Sequence, residues 1–534
     1  MSDINPNSEY FSIVPQNGSE FTEQNKIIFE VNPNIAFVKG KDCYLNFDVF
    51  NSSPNKEIVA FPNTAGASSM IERMDIYSLN NGVLLESLQN WNQWSAMENQ
   101  YVYDVKDNLV AKEGVSSECY AYKVSQDQGT GITTHASNSR EANKLSDMLL
   151  SQNQAGSAVY MAKRFIIPLR SGIFNWWNLS EKLTPIILYG GLRIEITLAE
   201  NNKVCQLVNG AIEGAVYDPV ATGLAIAVDA AVAGAGTPVL KSSATATNSL
   251  DTCGFVVGNK VSLSGGVITG TNAPYSGKIT ALSIDGSNKL EITIDLDGAS
   301  TITATSGAVV MKLTPLALSY KVKKCELKLL QVLPTSAMMK AIAKESQVNY
   351  LSYDLFLDTL PTSSLSHQTE ITSVANRAKA IFSLMTNTST ENGNAEKGYY
   401  TGLMPNDTGD ARSMKLNSIQ YFINNKLFPL KDYNPIRTAD KVQAHNEVIK
   451  AWASINKPCK NLGDSKGANM ADYTNTFLIA RELARENMVY PLKNSEAELR
   501  TKFAGTRTFN SRIYSYVFSE KVVNISNDGL SVIL

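Results

Sequence analysis

The chain has 534 residues, of which 43% are hydrophobic and 18% charged, so it can build several cores. Its 48 lysines and arginines nearly balance 50 acidic residues, and a net charge of −2 argues against a protein that coats nucleic acid with a basic face. The polar, acidic start and the lack of any run of about 18 uncharged apolar residues predict neither a signal peptide nor a membrane-spanning helix.

The six cysteines form no CxxC pair and have long, irregular spacings. Disulfide frameworks belong to short, cysteine-dense secreted chains, so free and mostly buried thiols are expected here. We therefore predict a soluble protein made in a reducing, intracellular space. The residues concerned are Cys43, Cys119, Cys205, Cys253, Cys325 and Cys459.

Strand signals begin after a polar stretch, 1–22, which we expect to be an N-terminal arm. The stretch Lys26–Val31 reads as a strand, and Asp42–Phe50 alternates between apolar and polar residues, as a half-buried strand does. Its apolar face holds Cys43, Leu45, Phe47 and Val49. The stretch Leu84–Val102 has apolar residues at helical spacing, which predicts a helix.

A second alternating strand, Gly191–Glu200, would face inward through Leu192, Ile194, Ile196 and Leu198. From 206 to 315 the composition shifts to Ala, Val, Gly, Thr and Ser, and aromatic residues almost vanish. Two alternating runs around DGSN, within Gly277–Gly298, indicate a hairpin. We predict a separate β-rich module inserted into the host fold rather than a low-complexity linker, and Ala211–Leu250, the weakest part of this prediction, is also compatible with a loop.

The rest of the chain also consists mainly of predicted strands. Strands are predicted at Lys324–Pro334, Asn417–Pro429 and Arg512–Ile525, and the last residues, 526–534, are expected to form a tail. Many short strands with a few helices between them indicate antiparallel sandwiches rather than a parallel sheet. Helices are predicted at Ser336–Ser346, Ala439–Ile455 (with Val448, Trp452 and Ile455 in one stripe) and Asp472–Asn487.

Four lysines make the densest basic patch, in Tyr320–Lys328. On a regular strand Lys321 and Lys323 would share a face with Cys325. A solvated sheet edge, where lysines block stray strand pairing, is the simplest interpretation.

Motifs for chemistry are missing from the sequence. The three histidines lie far apart. The sequence contains no HExxH motif, no phosphate-binding GxxxxGK[ST] loop and no GxSxG turn. We therefore predict no catalytic residue, no metal site and no cofactor. Paired carboxylates of a glycosidase need no fixed spacing, so a carbohydrate-active enzyme on a jelly-roll scaffold stays open as an alternative.

Adjacent tryptophans, Trp176 and Trp177, stand in the stretch Ser171–Asn178. Neighbouring side chains on a strand point to opposite faces, so two adjacent indoles cannot fill one small core. Gly172 and Asn175 permit a turn. We expect one indole, with Phe174, to plug the end of a sandwich, and the other to face a second sandwich or a neighbouring subunit.

One stretch, Ile167–Glu200, resembles the signature of double jelly-roll major capsid proteins. There, a strand ending in Pro-Leu is followed by a Gly-hydrophobic-Phe loop, a Pro-led segment and a Leu-Arg-Ile-rich strand. Further similar stretches occur in the same order along the chain, except in 206–315. The matching pieces include Ile167–Leu169, Gly172–Phe174, Pro185, Leu192–Leu198, Met70–Trp94, Tyr320–Pro334, Ala375–Met385, Ser418–Leu430 and Thr508–Phe518.

The resemblance is greatest to capsid proteins of polinton-like viruses and virophages. It implies two eight-stranded antiparallel jelly rolls, with the first over 23–205 closed by 316–335 and the second over 336–525. The module at 206–315 would be an outward tower on a long loop. Phe174, Trp176 and Trp177 would pack between the jelly rolls or between subunits.

The function implied is that of a structural, non-enzymatic protein of the virion, assembled inside the host cell. Homotrimers with a pseudo-hexagonal outline would tile an icosahedral shell. The implied partners are neighbouring copies, a penton protein and minor or cement proteins, with host contact open to the 206–315 module and no sequence-specific binding of nucleic acid. The alternative is a lectin-like or adhesin-type β-sandwich that binds surfaces.

Overall fold

The computed structural model describes most of the chain, and the fold below is that of these residues. They are 8–52, 58–62, 64–103, 113, 163–178, 182–208, 226–232, 238–245, 260–264, 267–271, 275–284, 289–298, 301–306, 309–313, 319–373, 375–387, 399–400, 414–434, 438–459, 477–484, 489–492, 497–507, 511–526 and 529–533.

The strands and helices fall into three groups along the chain. The first group contains β1 (Ser8–Ile13), β2 (Glu20–Phe21), β3 (Lys26–Val31), β4 (Phe37–Val38), β5 (Tyr44–Asn51), β6 (Ile58–Ala60), β7 (Ile71–Ser78), β8 (Leu84–Gln89), α1 (Trp91–Tyr101), β9 (Lys163–Pro168), β10 (Leu192–Leu198) and α2 (Asn201–Val204). The second group contains β11 (Gln206–Val208), β12 (Ile226–Val232), β13 (Val239–Thr245), β14 (Lys260–Ser264), β15 (Val267–Thr271), β16 (Ser276–Ile284), β17 (Lys289–Leu296), β18 (Thr301–Ser306) and β19 (Val309–Leu313). The third group contains β20 (Tyr320–Val332), α3 (Ser336–Ile342), β21 (Gln347–Leu360), β22 (Ser366–Glu370), β23 (Ala378–Asn387), β24 (Leu416–Ile423), β25 (Lys426–Tyr433), α4 (Thr438–Ser454), β26 (Ile479–Glu482), β27 (Ala497–Phe503), β28 (Ser511–Ser526) and β29 (Gly529–Ile533).

The first jelly roll consists of two antiparallel sheets. One has the order β1-β20-β5-β9, with the short strands β2 and β4 also on β20, and the other has the order β3-β10-β7-β8. Leu45, Phe47 and Val49 of β5 are buried, as their alternation predicts. The same holds for all four predicted inward residues of β10. The strand that closes this jelly roll, β20, comes from beyond the insertion.

The second jelly roll repeats this plan. Its sheets have the orders β21-β28-β23-β26, with β29 also on β28, and β22-β27-β24-β25. When the eight principal strands of each jelly roll are numbered in chain order, the two units have the same sheet orders. The sheet β22-β27-β24-β25 then corresponds to β3-β10-β7-β8, and β21-β28-β23-β26 corresponds to β1-β20-β5-β9. The sheet orders alone thus establish a mainly β chain with two jelly rolls of four plus four principal strands, as predicted.

The segment between β10 and β20 forms β structure of its own. Six strands close into a barrel in the order β12-β13-β17-β16-β14-β19, and β15 pairs with β18. Buried residues such as Val261, Ile279 and Ile292 give this module its own core. Within the weakly patterned stretch 211–250, β12 and β13 are strands, so the alternative of a plain loop is wrong there. The predicted domain limits stay predictions, and 206–208 pair with 58–60 rather than with the barrel.

Two predicted helices are wrong in whole or in part. Leu84–Gln89 is a strand paired with β7, and only Trp91–Tyr101 is helical. The apolar spacing at 84–89 suits either structure, and sheet pairing decides between them. In Asp472–Asn487, β26 is a strand beside β23, whereas 472–476 and 485–487 lie outside the described residues. The other two helices are confirmed as α3 and α4.

The predicted arm and tail are partly strands. β1 pairs along its whole length with β20, and β29 pairs with the end of β28. Residues 8–13 and 529–533 are therefore sheet strands within the segments 1–22 and 526–534 that were expected to be an arm and a tail. Each short strand provides hydrogen-bond partners for the backbone groups of a longer neighbour. The composition of the short strands does not reveal this pairing.

The lysine-rich strand is not a sheet edge, because β20 lies between β1 and β5. Lys324 adopts φ 48° at a bulge, and the register shifts between Lys323 and Glu326. The extra residue in the bulge reverses the face of the sheet to which the following side chains point. Cys325 is therefore buried, whereas Lys321 and Lys323 pair with Glu20. The shared face predicted for these lysines and Cys325 is therefore wrong.

Candidate functional site: the junction between the jelly rolls

Helix α1 lies at the centre of the contact between the two jelly rolls, and all eleven of its residues are buried. A helix that is covered on every side must be enclosed by protein all round. On the side of the first jelly roll it packs against β7 and the short helical turn Gly66–Met70. The Trp91 indole donates to the carbonyl oxygen of Arg170 at 2.8 Å. The opposite side faces the second jelly roll.

Trp94 is the aromatic anchor of this opposite side. Its ring lies among five rings of the second jelly roll, with centroid separations of 4.5 to 5.5 Å. Aromatic pairs at such distances stabilise beyond the area they bury. The Trp94 indole N–H has no hydrogen-bond partner among the described residues, so packing alone holds it. The five rings are Phe518 (4.5 Å), Trp452 (5.0 Å), Phe382 (5.3 Å), Tyr516 (5.4 Å) and Tyr353 (5.5 Å).

Trp94 covers the outer face of the β21-β28-β23-β26 sheet. Tyr421, on the facing sheet of the same jelly roll, donates its hydroxyl to Ser383 at 3.0 Å, so Ser383 points inward. Its neighbour Phe382 then points outward, because successive strand residues alternate. Helix α4 shares this face, since Trp452 packs on Phe382 with centroids 4.8 Å apart. The predicted stripe of Val448 and Trp452 on α4, with Ile455 just after its end, is buried, as expected.

The tryptophan-pair segment, Ser171–Asn178, is a compact turn beside α1. The Trp176 amide donates to the Ser171 carbonyl at 3.0 Å, and the Asn175 amide to the Gly172 carbonyl at 2.8 Å. Asn175 has φ 56°, a left-handed conformation that asparagine tolerates well. Its side chain donates to Thr184 Oγ1 at 3.1 Å. The strict alternation of a strand therefore does not apply to the two indoles.

The structure places the three predicted packing residues in different surroundings. Phe174 is buried within the first jelly roll. Trp177 is also fully buried, and its ring stands edge-on to Tyr353 and Phe518 of the second jelly roll, at 5.9 and 5.2 Å. Trp176 is half-buried and also reaches the second jelly roll. Both indoles thus contact that jelly roll, and the role of Phe174 with one indole as a plug of the sandwich end stays a prediction.

Trp176 belongs to a buried network of charges. Its indole donates to Glu98 Oε1 at 2.8 Å, and the Lys457 ammonium lies 4.1 Å from its ring centroid. The same ammonium lies 3.4 Å from Glu98 Oε1 and donates to the Tyr103 hydroxyl at 3.2 Å. Lys457 follows α4, whereas Glu98 lies on α1. The Trp176 ring and the Glu98 carboxylate of the first jelly roll thus bind the Lys457 ammonium of the second.

Arg170 supplies the second cation of this network. Its guanidinium donates to the Ser95 carbonyl at 2.9 Å, to Asn99 Oδ1 at 2.8 Å and to Glu113 Oε2 at 2.9 Å. Arg170 and Lys457 balance Glu98 and Glu113, so the four formal charges sum to zero. A buried pair is tolerated only when such partners compensate for lost hydration.

The network changes the proton affinities of its members. Burial by itself would raise the pKa of Glu98, but Lys457, Arg170 and the hydrogen bonds from Trp176 and Tyr103 together outweigh burial and lower that pKa. Burial lowers the pKa of Lys457, and Glu98 opposes this effect only in part. Burial also raises the pKa of Tyr103 well above its ordinary value, so that hydroxyl stays protonated. Glu98 is therefore ionised at neutral pH, and its negative charge stabilises the cations of the network.

A second contact joins β8 to the start of β21. The Glu86 carboxylate accepts hydrogen bonds from the Ser171 hydroxyl and from the amides of Gly172 (2.9 Å) and Ile173 (3.2 Å). Burial raises the pKa of Glu86, and these donors offset part of the effect. Gly172 lies so close to the second jelly roll that a Cβ there would overlap the Leu351 carbonyl oxygen. Only glycine fits this approach without a shift of backbone.

Tyrosines and glutamine amides satisfy polar groups along the rest of the junction. The Tyr516 hydroxyl donates to Gln93 Oε1 at 2.6 Å, and the Gln93 amide donates to the Tyr399 carbonyl at 2.7 Å. The hydroxyl of Tyr353 donates to the Gln89 carbonyl at 3.1 Å. Such bonds matter because an unpaired polar group in a buried contact costs more than a pair gains.

This junction offers packing and hydrogen bonding rather than reactive groups. Among the residues that the structure describes, no group of three or more His, Cys, Asp or Glu could hold a metal ion. No helix of that same part of the chain is long and apolar enough to cross a membrane. The cysteines with described positions, Cys43, Cys205, Cys325 and Cys459, are free.

Sequence reasoning missed α1 as the centre of the site, together with Arg170 and Lys457. A signal was present in Trp91–Tyr101, where Glu98 is the only charged residue and apolar residues fall on more than one side. A short helix of that composition reads as buried on several faces rather than amphipathic. The partners of α1 in the second jelly roll lie hundreds of residues away, and no local pattern indicates them.

Comparisons with known proteins place the chain beside solved viral capsid proteins. Faustovirus major capsid protein has a TM-score of 0.47 at 8% identity, with 97% of this chain and 90% of that chain covered. A quasi-atomic model of the PBCV-1 virus capsid has 0.46 at 11%, covering 99% and 96%. The Sputnik virophage structure from cryo-EM has 0.44 at 10%, covering 99% and 88%. No family model and no curated protein matches the chain.

The two tryptophans differ in what their loss removes. Trp177→Ala should cost about 3–5 kcal/mol of unfolding free energy, because it opens a cavity against Tyr353 and Phe518. Trp176→Phe should cost about 1–2 kcal/mol, because it keeps a ring over Lys457 and loses one bond to Glu98. Urea unfolding of both variants measures this order. Equal costs would contradict the distinct surroundings described above.

Close backbone approach at Gly172 is open to a direct test. Gly172→Ala should destabilise the chain by about 1–3 kcal/mol or more, since the new methyl must displace Leu351 or the turn. Gly505→Ala is the matched control, because its Cβ would meet only the Lys415 side chain at 3.7 Å. Thermal unfolding of the two variants should show a lowered midpoint for the first alone. A Gly172→Ala protein as stable as wild type would contradict the predicted overlap.

Acid should weaken the junction through Glu98. A carboxyl with a lowered folded pKa stabilises the native state above its ordinary value near 4.5, and this contribution is lost as the pH falls through the folded pKa. Wild type should therefore exceed Glu98→Gln in unfolding free energy at pH 7, and the gap should narrow below about pH 4.5. Denaturant unfolding across this range measures the gap.

Glu498→Gln provides the control for that titration, because Glu498 pairs with the partly exposed Arg500 on the surface. Its difference from wild type should stay small at every pH. A gap for Glu98→Gln that does not change between pH 7 and pH 3 would refute the role given to Glu98.

Proposed function

We propose that this protein is a structural capsid protein that self-assembles into homotrimers of pseudo-hexagonal outline, and that these tile an icosahedral virion shell. The observation that carries the proposal is the pairing of two jelly rolls of the same strand order through a largely buried junction. Six such units in three chains make a near-hexagonal block, the shape that the sequence resemblance implies. The role is structural, without catalysis.

The junction supports this proposal because it fixes one jelly roll against the other. Helix α1, the turn at Ser171–Asn178 and the pair Glu98–Lys457 connect the two units at several separate points. Packed interiors resist deformation, so the angle between the units is set within the chain. A building block of a closed shell needs such a fixed angle, because errors accumulate over many copies.

Neighbouring copies are the main partners in this proposal. Permanent contacts between subunits typically bury about 2,000–5,000 Å², and contacts between trimers would be weaker. A penton protein and minor or cement proteins would complete the shell, which is assembled inside the host cell. Nucleic acid is not a sequence-specific partner.

A second candidate function rests on the inserted module. Its closed barrel, β12 to β19, has its own core and enters between β10 and β20 of the first jelly roll. An independently packed module on a long connection is suited to contact with a host surface or glycan. This lectin-like role is compatible with assembly, since the jelly rolls and the module use different residues.

Light scattering coupled to size exclusion tests the assembly. The purified full-length chain should have a mass three times its own 58.2 kDa, and electron microscopy of producing cells should show shells. A monomer at every concentration, together with an absence of shells, would overturn the capsid role. Glycan-array binding by that same monomer would favour the surface-binding role instead.

A further inference from the structure

Two chain connections join the inserted module to the first jelly roll, and we call them the neck. The neck consists of 199–208, which leads into the module, and Tyr320, where the chain returns to β20. The Tyr320 hydroxyl donates to the Ala199 carbonyl at 2.7 Å, and the Tyr320 amide donates to Asn201 Oδ1 at 3.4 Å. The outgoing and the returning connection are therefore bonded to each other at the base of the module.

The two short elements of the neck, α2 and β11, are weak by themselves. Helix α2 has four residues, and a helix of that length leaves most of its backbone carbonyl groups without partners inside the helix. Among the described strands β11 pairs with β6 in a sheet of two, and an isolated two-stranded sheet is marginally stable in water. The shape of the neck therefore depends on what packs against it.

Two residues of the second jelly roll, Tyr399 and Tyr400, supply this packing, and we call them the tyrosine pair. Both are buried, and their rings stand edge-on with centroids 4.9 Å apart. The Tyr400 hydroxyl donates to the carbonyl oxygen of Lys203, in α2, at 2.9 Å. The Lys203 ammonium lies 5.2 Å from the Tyr399 ring centroid and 2.6 Å from Glu72 Oε1. The tyrosine pair thus contacts Lys203 at both its backbone and its side chain.

Helix α1, at the centre of the junction, holds the tyrosine pair in turn. The Gln93 amide donates to the Tyr399 carbonyl at 2.7 Å, and the Gln100 amide donates to the Tyr400 carbonyl at 3.2 Å. The Tyr399 hydroxyl donates to Asn92 Oδ1 at 3.2 Å. A continuous series of contacts therefore runs from α1 through the tyrosine pair to the neck.

We propose that the tyrosine pair fixes the neck to the junction, so that the inserted module has one orientation relative to the two jelly rolls. The neck then opens only when the junction opens, because Tyr399 and Tyr400 contact both. A hinged module would sample many orientations, whereas a fixed module presents the same face on every copy of the chain. Binding by several copies is stronger when less freedom is lost on contact.

The inference goes beyond the proposed function and does not depend on assembly, because all of these contacts lie within one chain. It adds a mechanical role for a loop of the second jelly roll, which contacts the first jelly roll at the base of the module. The surface-binding role of the module is likewise not required, since a fixed neck is a property of the free chain.

Removal of one hydroxyl group tests the inference in the full-length protein. Tyr400→Phe keeps the ring and loses the bond to the Lys203 carbonyl. Amide hydrogen exchange in 203–208 should become roughly three- to tenfold faster, the factor expected for one net hydrogen bond. Exchange in β16 of the module and in β27 of the second jelly roll should stay unchanged. Mass spectrometry of peptic peptides measures all three segments.

Tyr421→Phe is the matched control, because Tyr421 is buried in the second jelly roll and donates its hydroxyl to Ser383 at 3.0 Å. This variant also loses one buried hydroxyl bond, so a general loss of stability would affect both proteins alike. Faster exchange of 203–208 in Tyr400→Phe alone supports the inference. Exchange there that equals wild type, or that rises equally in both variants, would overturn it.

A measurement on wild type covers the case in which Tyr400→Phe fails to fold. Hydrogen exchange over a series of low urea concentrations gives the free energy and the exposed area of each opening reaction. The curves for 203–208 and for α1 should merge, since a fixed neck opens with the junction. Neck amides that exchange at least about a hundredfold faster than those of α1, without dependence on urea, would overturn the inference. Either result leaves the proposed function standing.

Discussion

The complete burial of α1 is the constraint on which the rest of the structure depends. One side of this helix is covered by the first jelly roll, and the other side by the sheet of the second. Without the second jelly roll, Trp94 and its neighbours would be left in water. The apolar area that α1 removes from solvent thus requires both units, so their stabilities are coupled and unfolding of one exposes a core surface of the other.

The ion pairs of the same junction depend on the relative orientation of the two jelly rolls, whereas the hydrophobic attraction does not. A packed aromatic cluster tolerates small rotations, but the Lys457 ammonium has to meet Glu98 and the Trp176 ring together. Displacing it by a few ångströms would leave buried charges without partners, which costs more than the pair contributes. Aromatic packing therefore buries the apolar area of the junction, and the network with Arg170 favours one orientation out of the many that packing allows.

The parts that the sequence predicts well are those governed by local periodicity. The inward residues of β5 and β10 and the apolar stripe of α4 follow from spacings of two and of three to four residues. Strand and helix were confused at 84–89, where a short apolar run satisfies both spacings and only the pairing with β7 decides. The strands β1 and β29 were missed because a long neighbouring strand, which offers them hydrogen-bond partners, decides their structure, and the composition of the end segments does not.

The candidate site was harder to predict, because its contacts join residues far apart in the chain. The two tryptophans drew attention by their adjacency, yet what they touch depends on Lys457 and Phe518, which lie hundreds of residues later. Alternation also fails locally at Asn175, whose left-handed backbone sends both indoles towards the second jelly roll. A sequence can indicate that a turn is possible there, but the partner across the turn is fixed only by the fold.

The chemical contrast between the two corresponding sheet faces fits a division between permanent and reversible contact. The covered face of the second jelly roll carries four buried rings and forms together with the chain. The corresponding face of the first jelly roll is less aromatic, carries the exposed Tyr10 beside the half-buried Tyr44, and is bordered by ion pairs such as Arg164–Asp48. A surface that must stay soluble before a partner arrives cannot be as apolar as one that is never exposed, because large apolar patches aggregate. A single architecture, used twice in one chain, thus carries a fixed internal junction on one unit and a more exposed, more polar face on the other.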